Sequence, residues 1–208
     1  MRIGCLHTAQ SNAAVLERAA EAFGRNRPTL EHMVRPDLLA AVGLAGALTP
    51  QIIDATRQAL DALAGDCDAV LLTCSSLGPV ADLAARVPTI RVDRALAEQA
   101  ATHAGTIVVL CAAPSTLEPT GDLFKSVAGE MADRVDVRLV PHAWALFLAG
   151  DLAGYRAMIE VAAQQALDDA GCVALAQVSM ADCAVRSPRL LTSPSVGLAA
   201  AMHQASMQ

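Results

Sequence analysis

The sequence predicts an α/β protein of two pseudo-symmetric lobes, each a small doubly wound parallel sheet with helices on both faces. Three observations predict it. Short apolar runs alternate with longer Ala- and Leu-rich stretches along the whole chain, the pattern of strands joined by crossover helices. The chain also repeats itself at an offset near half its length. Val70-Leu71-Leu72-Thr73-Cys74-Ser75-Ser76-Leu77 is matched in form by Val173-Ala174-Leu175-Ala176-Gln177-Val178-Ser179-Met180: an apolar run, a polar centre, then a helix-like segment. Each copy is followed by a proline, Pro88 or Pro188, and a second short apolar run.

The elements follow in order. A strand over 2–6 leads through Ser11-Asn12 into a helix over 13–23, and a second strand covers 29–34. Segment 35–50 is expected as a loop, closed by Thr49-Pro50, a capping hydroxyl followed by proline at the first helical position, which starts a helix over 50–64. A strand over 69–73 runs into Cys74, with Ser75 and Ser76 as caps for a helix over 77–86. A strand over 89–92 and a helix over 95–104, stopped by Gly105, complete the first half. The second half repeats the plan with strands over 106–111, 135–140, 172–176 and 190–192 and helices over 116–131, 152–170, 180–185 and 196–204, with 144–150 as a loop. Residues 1–94 with 191–208 are assigned to the first lobe and 95–190 to the second, the last helix returning to the first. Such sheets bind ligands beyond the carboxyl ends of their strands, so the residues after Leu6, Thr73, Leu110 and Ala176 are the candidates for function, facing one cleft.

Composition removes several classes of function. Of the 208 residues 54% are hydrophobic and 17% charged, which excludes a disordered chain. Only 2% are aromatic, so the core is aliphatic. The longest apolar run, over 38–48, is broken by Gly43 and Gly46 and is too short to span a membrane. A net charge of −6, scattered arginines and a single lysine, Lys125, argue against nucleic acid or an anionic membrane surface as partner. The start, Met1-Arg2-Ile3-Gly4-Cys5, carries no apolar leader core, so a cytoplasmic location is expected. There the six cysteines are reduced thiols, and Cys5, Cys67, Cys111 and Cys172, in or beside strands, read as small buried hydrophobes. No C-x-x-C occurs and no histidine stands at helical ligand spacing from a cysteine or another histidine, so no metal is expected. No phosphate-binding glycine motif supports a nucleotide or phosphorylated ligand.

Cys74, between a strand and a helix start, feels the positive end of the helix and its free N–H groups, which favour a thiolate able to act as base or nucleophile. Small polar residues gather at equivalent strand ends: Ser11, Asn12, Ser75 and Ser76 in the first half, Ser115, Thr116 and Ser179 in the second, with Gln177 and Val178 beside Ser179 as further candidate contacts. Hydroxyls, an amide and helix-start N–H groups can hold a carboxylate without a lysine or arginine. His7, just after the first strand, is a candidate second proton carrier because its unperturbed pKa suits acid–base work.

Thr73-Cys74-Ser75-Ser76, the paired strand-end motif of the second half, and Ala113-Pro114-Ser115-Thr116 together resemble the aspartate/glutamate/hydantoin racemase superfamily over essentially the whole chain. The resemblance implies a cofactor-independent enzyme of small carboxylic acids, often a homodimer, whose two-base members set one cysteine from each lobe on opposite sides of the substrate carbon. Cys74 matches the first of these; Gln177 stands where the second is expected and cannot exchange a proton at neutral pH. Two-base racemisation is therefore not expected. One thiol still supports proton transfer to one face of a carbanion, addition to an activated double bond, or protonation after decarboxylation of the arylmalonate type. The alternative is a protein that binds small carboxylates without turnover.

Overall fold

The computed structural model describes residues 1–83 and 86–207. In the first sheet β1 (Arg2–His7) pairs on one side with β2 (Thr29–Val34) and on the other with β3 (Ala69–Leu72), and β4 (Thr89–Arg91) lies beyond β3; every pairing is parallel. The order β2-β1-β3-β4 recurs in the second sheet as β6-β5-β7-β8, built from β5 (Ile107–Cys111), β6 (Val135–Leu139), β7 (Cys172–Leu175) and β8 (Leu190–Thr192), again all parallel. Burial explains why the two central strands of each sheet read as unbroken apolar runs: with helices on both faces, no residue of β3, β5 or β7 faces water.

The helices are α1 (Ser11–Glu21), α2 (Pro36–Ala45), α3 (Pro50–Ala64), α4 (Val92–Ala101), α5 (Leu117–Ala128), α6 (Ala143–Leu148), α7 (Leu152–Leu167) and α8 (Ser193–Ala205). Two compact units result, Met1–Val92 with Pro194–Gln208, and Asp93–Ser193. These bounds differ by a few residues from those read in the sequence. Helix α4 begins directly after β4, and β8 stays paired to β7 through Thr192 before the chain leaves the second unit.

Each unit has its own aliphatic core. In the first, Leu6, Val70 and Leu72 on one sheet face pack against Ile52, Ala59, Leu60 and Leu63 of α3. In the second, Val108, Leu110, Val173 and Leu175 pack against Tyr155, Ile159, Ala163 and Leu167 of α7. Each fully buried aliphatic side chain contributes about 1.5–3 kcal/mol relative to exposure. Among the described residues no helix is long and apolar enough to cross a membrane.

Four local expectations are corrected. Segment 35–50 is not a loop throughout: Pro36 opens α2, Asp37 occupies its first turn, and Gly46 ends it with φ of 70°, a left-handed conformation that glycine adopts freely. Segment 144–150 holds α6, because Leu146 and Phe147 have an apolar surface to cover on the second core. The helix expected over 77–86 is a 3₁₀ segment, Ser75–Leu83, containing Pro79, which has no N–H to donate; residues 84 and 85 lie outside the described part. The helix expected over 180–185 is only a 3₁₀ turn, Val178–Met180, since the Ala184 N–H donates to the Glu160 carboxylate rather than to a preceding turn.

Candidate active site

The central strands β1 and β3 end side by side, Leu6 opposite Leu72, and this register brings the first unit's candidate residues together. Thr73 is anchored twice on Leu6: its N–H and its hydroxyl both donate to the Leu6 carbonyl, at 3.1 and 3.0 Å. Cys74 comes next, between β3 and the 3₁₀ segment. It is 8% exposed, with its side chain against the cluster that includes Leu6, Leu38 and Leu77. Its carbonyl accepts the Leu77 N–H at 3.1 Å, the first bond of the 3₁₀ segment, so the opening N–H groups of that segment start immediately after the thiol. Ser75 and Ser76 are half-buried, Ser11 is exposed at the start of α1, and Asn12 beside it is buried. The Asn12 Oδ1 atom has no hydrogen-bond partner in the structure, a costly state for a buried carbonyl oxygen.

His7 is fully buried and both of its ring nitrogens are engaged. Nδ1 lies 2.9 Å from Thr73 Oγ1 and Nε2 lies 2.8 Å from His32 Nδ1, the two rings stacking at 5.1 Å. Burial, reinforced by the charge of His32, lowers the His7 pKa to about 3. The expectation of an ordinary imidazole pKa is thereby corrected: His7 is neutral at physiological pH. Sequence reasoning also missed His32 and its partner Glu17, 3.1 Å away on α1. The signal was strand spacing rather than helical spacing: Cys5 and His7 alternate on one face of β1, and Cys5 stands opposite His32 on β2.

Arg91, at the end of β4, was likewise not singled out. Its guanidinium lies over Gly78, where a Cβ would come within 2.6 Å of it, so the bare glycine makes room for a cation at the rim of these strand ends.

In the second unit the strand ends are built differently. Gln177, after β7, reaches across to the end of β5. Its Oε1 accepts the Ala112 N–H at 2.7 Å, and its Nε2 donates to Thr116 Oγ1 at 2.8 Å. Thr116 in turn donates to the Ala113 carbonyl at 2.7 Å. Ser115 is exposed and Val178 buried, and the Ser179 hydroxyl pairs with Tyr155 OH at 2.9 Å, towards α7. Burial pushes the Cys111 thiol up, with Thr120, Thr116 and Gln177 pulling the other way, so this buried cysteine remains a neutral thiol. Cys183 is packed in the second core with Met180.

No family model and no curated protein matches the sequence. Solved structures do. The aspartate racemase of Picrophilus torridus superposes with a TM-score of 0.74 at 10% identity, over 99% of this chain and 94% of that one. This chain shares the two-unit α/β fold of that solved structure. The allantoin racemase of Klebsiella pneumoniae gives 0.71 at 17% identity over 100% and 88% of the two chains, and the glutamate racemase of Aquifex pyrophilus 0.63 at 15% over 98% and 83%. The racemase fold thus covers essentially the whole chain, as its duplicated sequence pattern implies. At these identities the likeness is one of architecture, and the chemistry has to be argued from this chain's own strand ends.

Proposed function

We propose that the chain is a cofactor-independent isomerase of racemase type, acting on a small carboxylic acid of the amino-acid, dicarboxylate or hydantoin class, with Cys74 as its reacting group. The observation that carries this reading is the seat of Cys74. It follows a central parallel strand of a racemase fold and directly precedes the N–H groups that open a 3₁₀ segment, an environment that favours thiolate over thiol. The reaction is written as removal of the α-proton by the Cys74 thiolate, giving a carbanion stabilised by hydrogen bonds to the carboxylate, then return of a proton to the same carbon. Ser11, Ser75 and Ser76, on the same unit as Cys74, supply hydroxyls for the carboxylate. The Asn12 Oδ1 atom, buried without a donor, suits an amino or ring N–H of the substrate.

His7 is assigned a positioning role through Thr73, because a neutral imidazole bonded at both nitrogens has no proton to deliver near pH 7. With Gln177 at the position equivalent to Cys74, proton exchange on one face is the chemistry these residues support. Deuterium is then taken up at carbon without comparable inversion, and net isomerisation falls to the other one-thiol route: the Cys74 thiolate adds to an activated double bond, the new single bond rotates, and the thiolate leaves as the double bond re-forms. A second reading, binding without turnover, is favoured by Gln177, whose amide is committed to Ala112 and Thr116. A one-thiol decarboxylation of an arylmalonate-type diacid and a homodimeric state belong to the same proposal.

The test is incubation of the protein in D2O with aspartate, glutamate, maleate, an arylmalonate and substituted hydantoins, followed by NMR and chiral chromatography. Uptake, isomerisation or CO2 loss with one substrate, abolished in Cys74→Ser, supports the enzyme. Saturable binding of an acid with no change at carbon supports the binder and overturns the enzyme.

A further inference from the structure

Apart from that reaction, the first unit carries a cluster of a different kind. Cys5 Sγ, His7 and His32 each bring a ligand-type atom within 4.8 Å of the others, on the α1 side of β1 and β2. Backbone register makes the cluster: alternate residues of β1 share a face, and parallel pairing sets His32 opposite Cys5. We propose that Cys5, His7 and His32 form a site for a borderline-soft transition-metal ion, zinc(II) above all, with a thiolate and two imidazoles as protein ligands and a fourth position left to water.

The hydrogen bonds around the rings support it. Thr73 Oγ1 lies 2.9 Å from His7 Nδ1 and 3.0 Å from the Leu6 carbonyl, so it can accept a hydrogen bond from His7 Nδ1 while giving its own to Leu6. The Glu17 carboxylate accepts from His32 Nε2–H. Both outer nitrogens thus have partners of their own, and the two inner ones, His7 Nε2 and His32 Nδ1, face each other at 2.8 Å. Without metal, a proton on His7 Nε2 bridges the rings in a neutral pair; with metal, both inner nitrogens turn their lone pairs to the ion. An outer N–H given to a carboxylate or hydroxyl while the inner nitrogen faces a neighbouring ligand is how metal-binding histidines are oriented, and Glu17 is itself held by Arg27. Metal–nitrogen bonds of about 2.0–2.1 Å and a metal–sulfur bond of about 2.3 Å require the inner nitrogens to separate by only a fraction of an ångström. Binding releases the Cys5 thiol proton to solvent and moves the His7 proton from Nε2 to Nδ1, where Thr73 Oγ1 accepts its hydrogen bond, so charge and atoms balance. An ion can enter past His32, whose side chain is 19% exposed.

The ligand types select the metal. A thiolate with two imidazoles suits zinc(II) or its spectroscopic substitute cobalt(II) and disfavours magnesium and calcium, which take oxygen ligands.

The experiment adds cobalt(II), then zinc(II), to the reduced, chelator-treated full chain. The expected result is saturable uptake of one cobalt per chain with a thiolate-to-cobalt charge-transfer band, lost on adding zinc. Cys5→Ser removes the band, and Cys74→Ser leaves it unchanged. Glu17→Gln, a partly exposed change that cannot disturb the core, weakens zinc binding by about 10–100-fold in calorimetry. Absence of saturable binding, a band that persists in Cys5→Ser, or an affinity indifferent to Glu17→Gln overturns the site. None of these readouts depends on turnover of any acid.

Discussion

The strand ends of the two units share one backbone plan and differ in what they do with it. After β3, Thr73 turns its hydroxyl back to Leu6, and Cys74 follows, packed against Leu6, Leu38 and Leu77. After β7, the equivalent Gln177 spends both ends of its amide on bracing the β5 loop, through Ala112 and Thr116. The difference teaches that one backbone plan can carry unlike side-chain roles: one strand end presents a thiol, the other an amide used as a structural strut. At the end of β5, burial holds Cys111 as a thiol.

The comparison can be broken or sharpened by substitution. The largest effect is expected from Cys74→Ser, which should lower turnover of the substrate found in the D2O screen by about 10²–10⁴-fold, the usual contribution of a positioned acid–base group. Cys111→Ser should leave the rate within a few-fold, because its thiol takes no part; steady-state kinetics on both variants decide the contrast. Gln177→Ala comes next. It strands the Ala112 N–H beside a buried strand end and should cost about 1–3 kcal/mol of stability in urea denaturation, while changing turnover less than Cys74→Ser. Gln177→Cys sharpens the same point: the strut is lost, but a second thiol is gained, and inversion at carbon should rise relative to deuterium uptake.

The smallest effect concerns the Tyr155–Ser179 pair. Burial raises the Tyr155 pKa to about 12, above its unfolded value near 10. Between those values the unfolded chain releases the phenolic proton while the folded chain keeps it, so stability is intact below about pH 10 and falls as pH rises towards 12. Tyr155→Phe should flatten that alkaline decline in Tm and cost about 0.5–1.5 kcal/mol at neutral pH through the lost hydrogen bond.

The fold was legible because its causes are local and repeated. β3 and β7 are buried on both faces, so they had to be apolar runs, and the two halves carry the same strand order because they carry the same spacing of runs. Helix type was less legible. Residues 75–83 look helical by composition, yet Pro79 withdraws a donor and a tighter 3₁₀ path results. Helix α2 hid behind two glycines, of which Gly43 is tolerated inside it and only Gly46 ends it. Of the candidate site, Cys74 and the small polar residues could be found from their place after strands. The state of His7 could not. It depends on His32 and Glu17, which lie far along the chain and meet His7 only through the β1–β2 register and the packing of α1. Likewise the bracing of Gln177 depends on a loop sixty-five residues upstream.

The most direct measurement is the rate of alkylation of each cysteine, read residue by residue by mass spectrometry across pH, with and without the acids of the D2O screen. Cys74 should react faster than free cysteine below the ordinary thiol range and be protected by one of those acids, while Cys111 stays unmodified in the folded chain. If Cys74 reacts no faster than Cys111, or if no acid slows its alkylation, the assignment of the chemistry to the end of β3 is wrong.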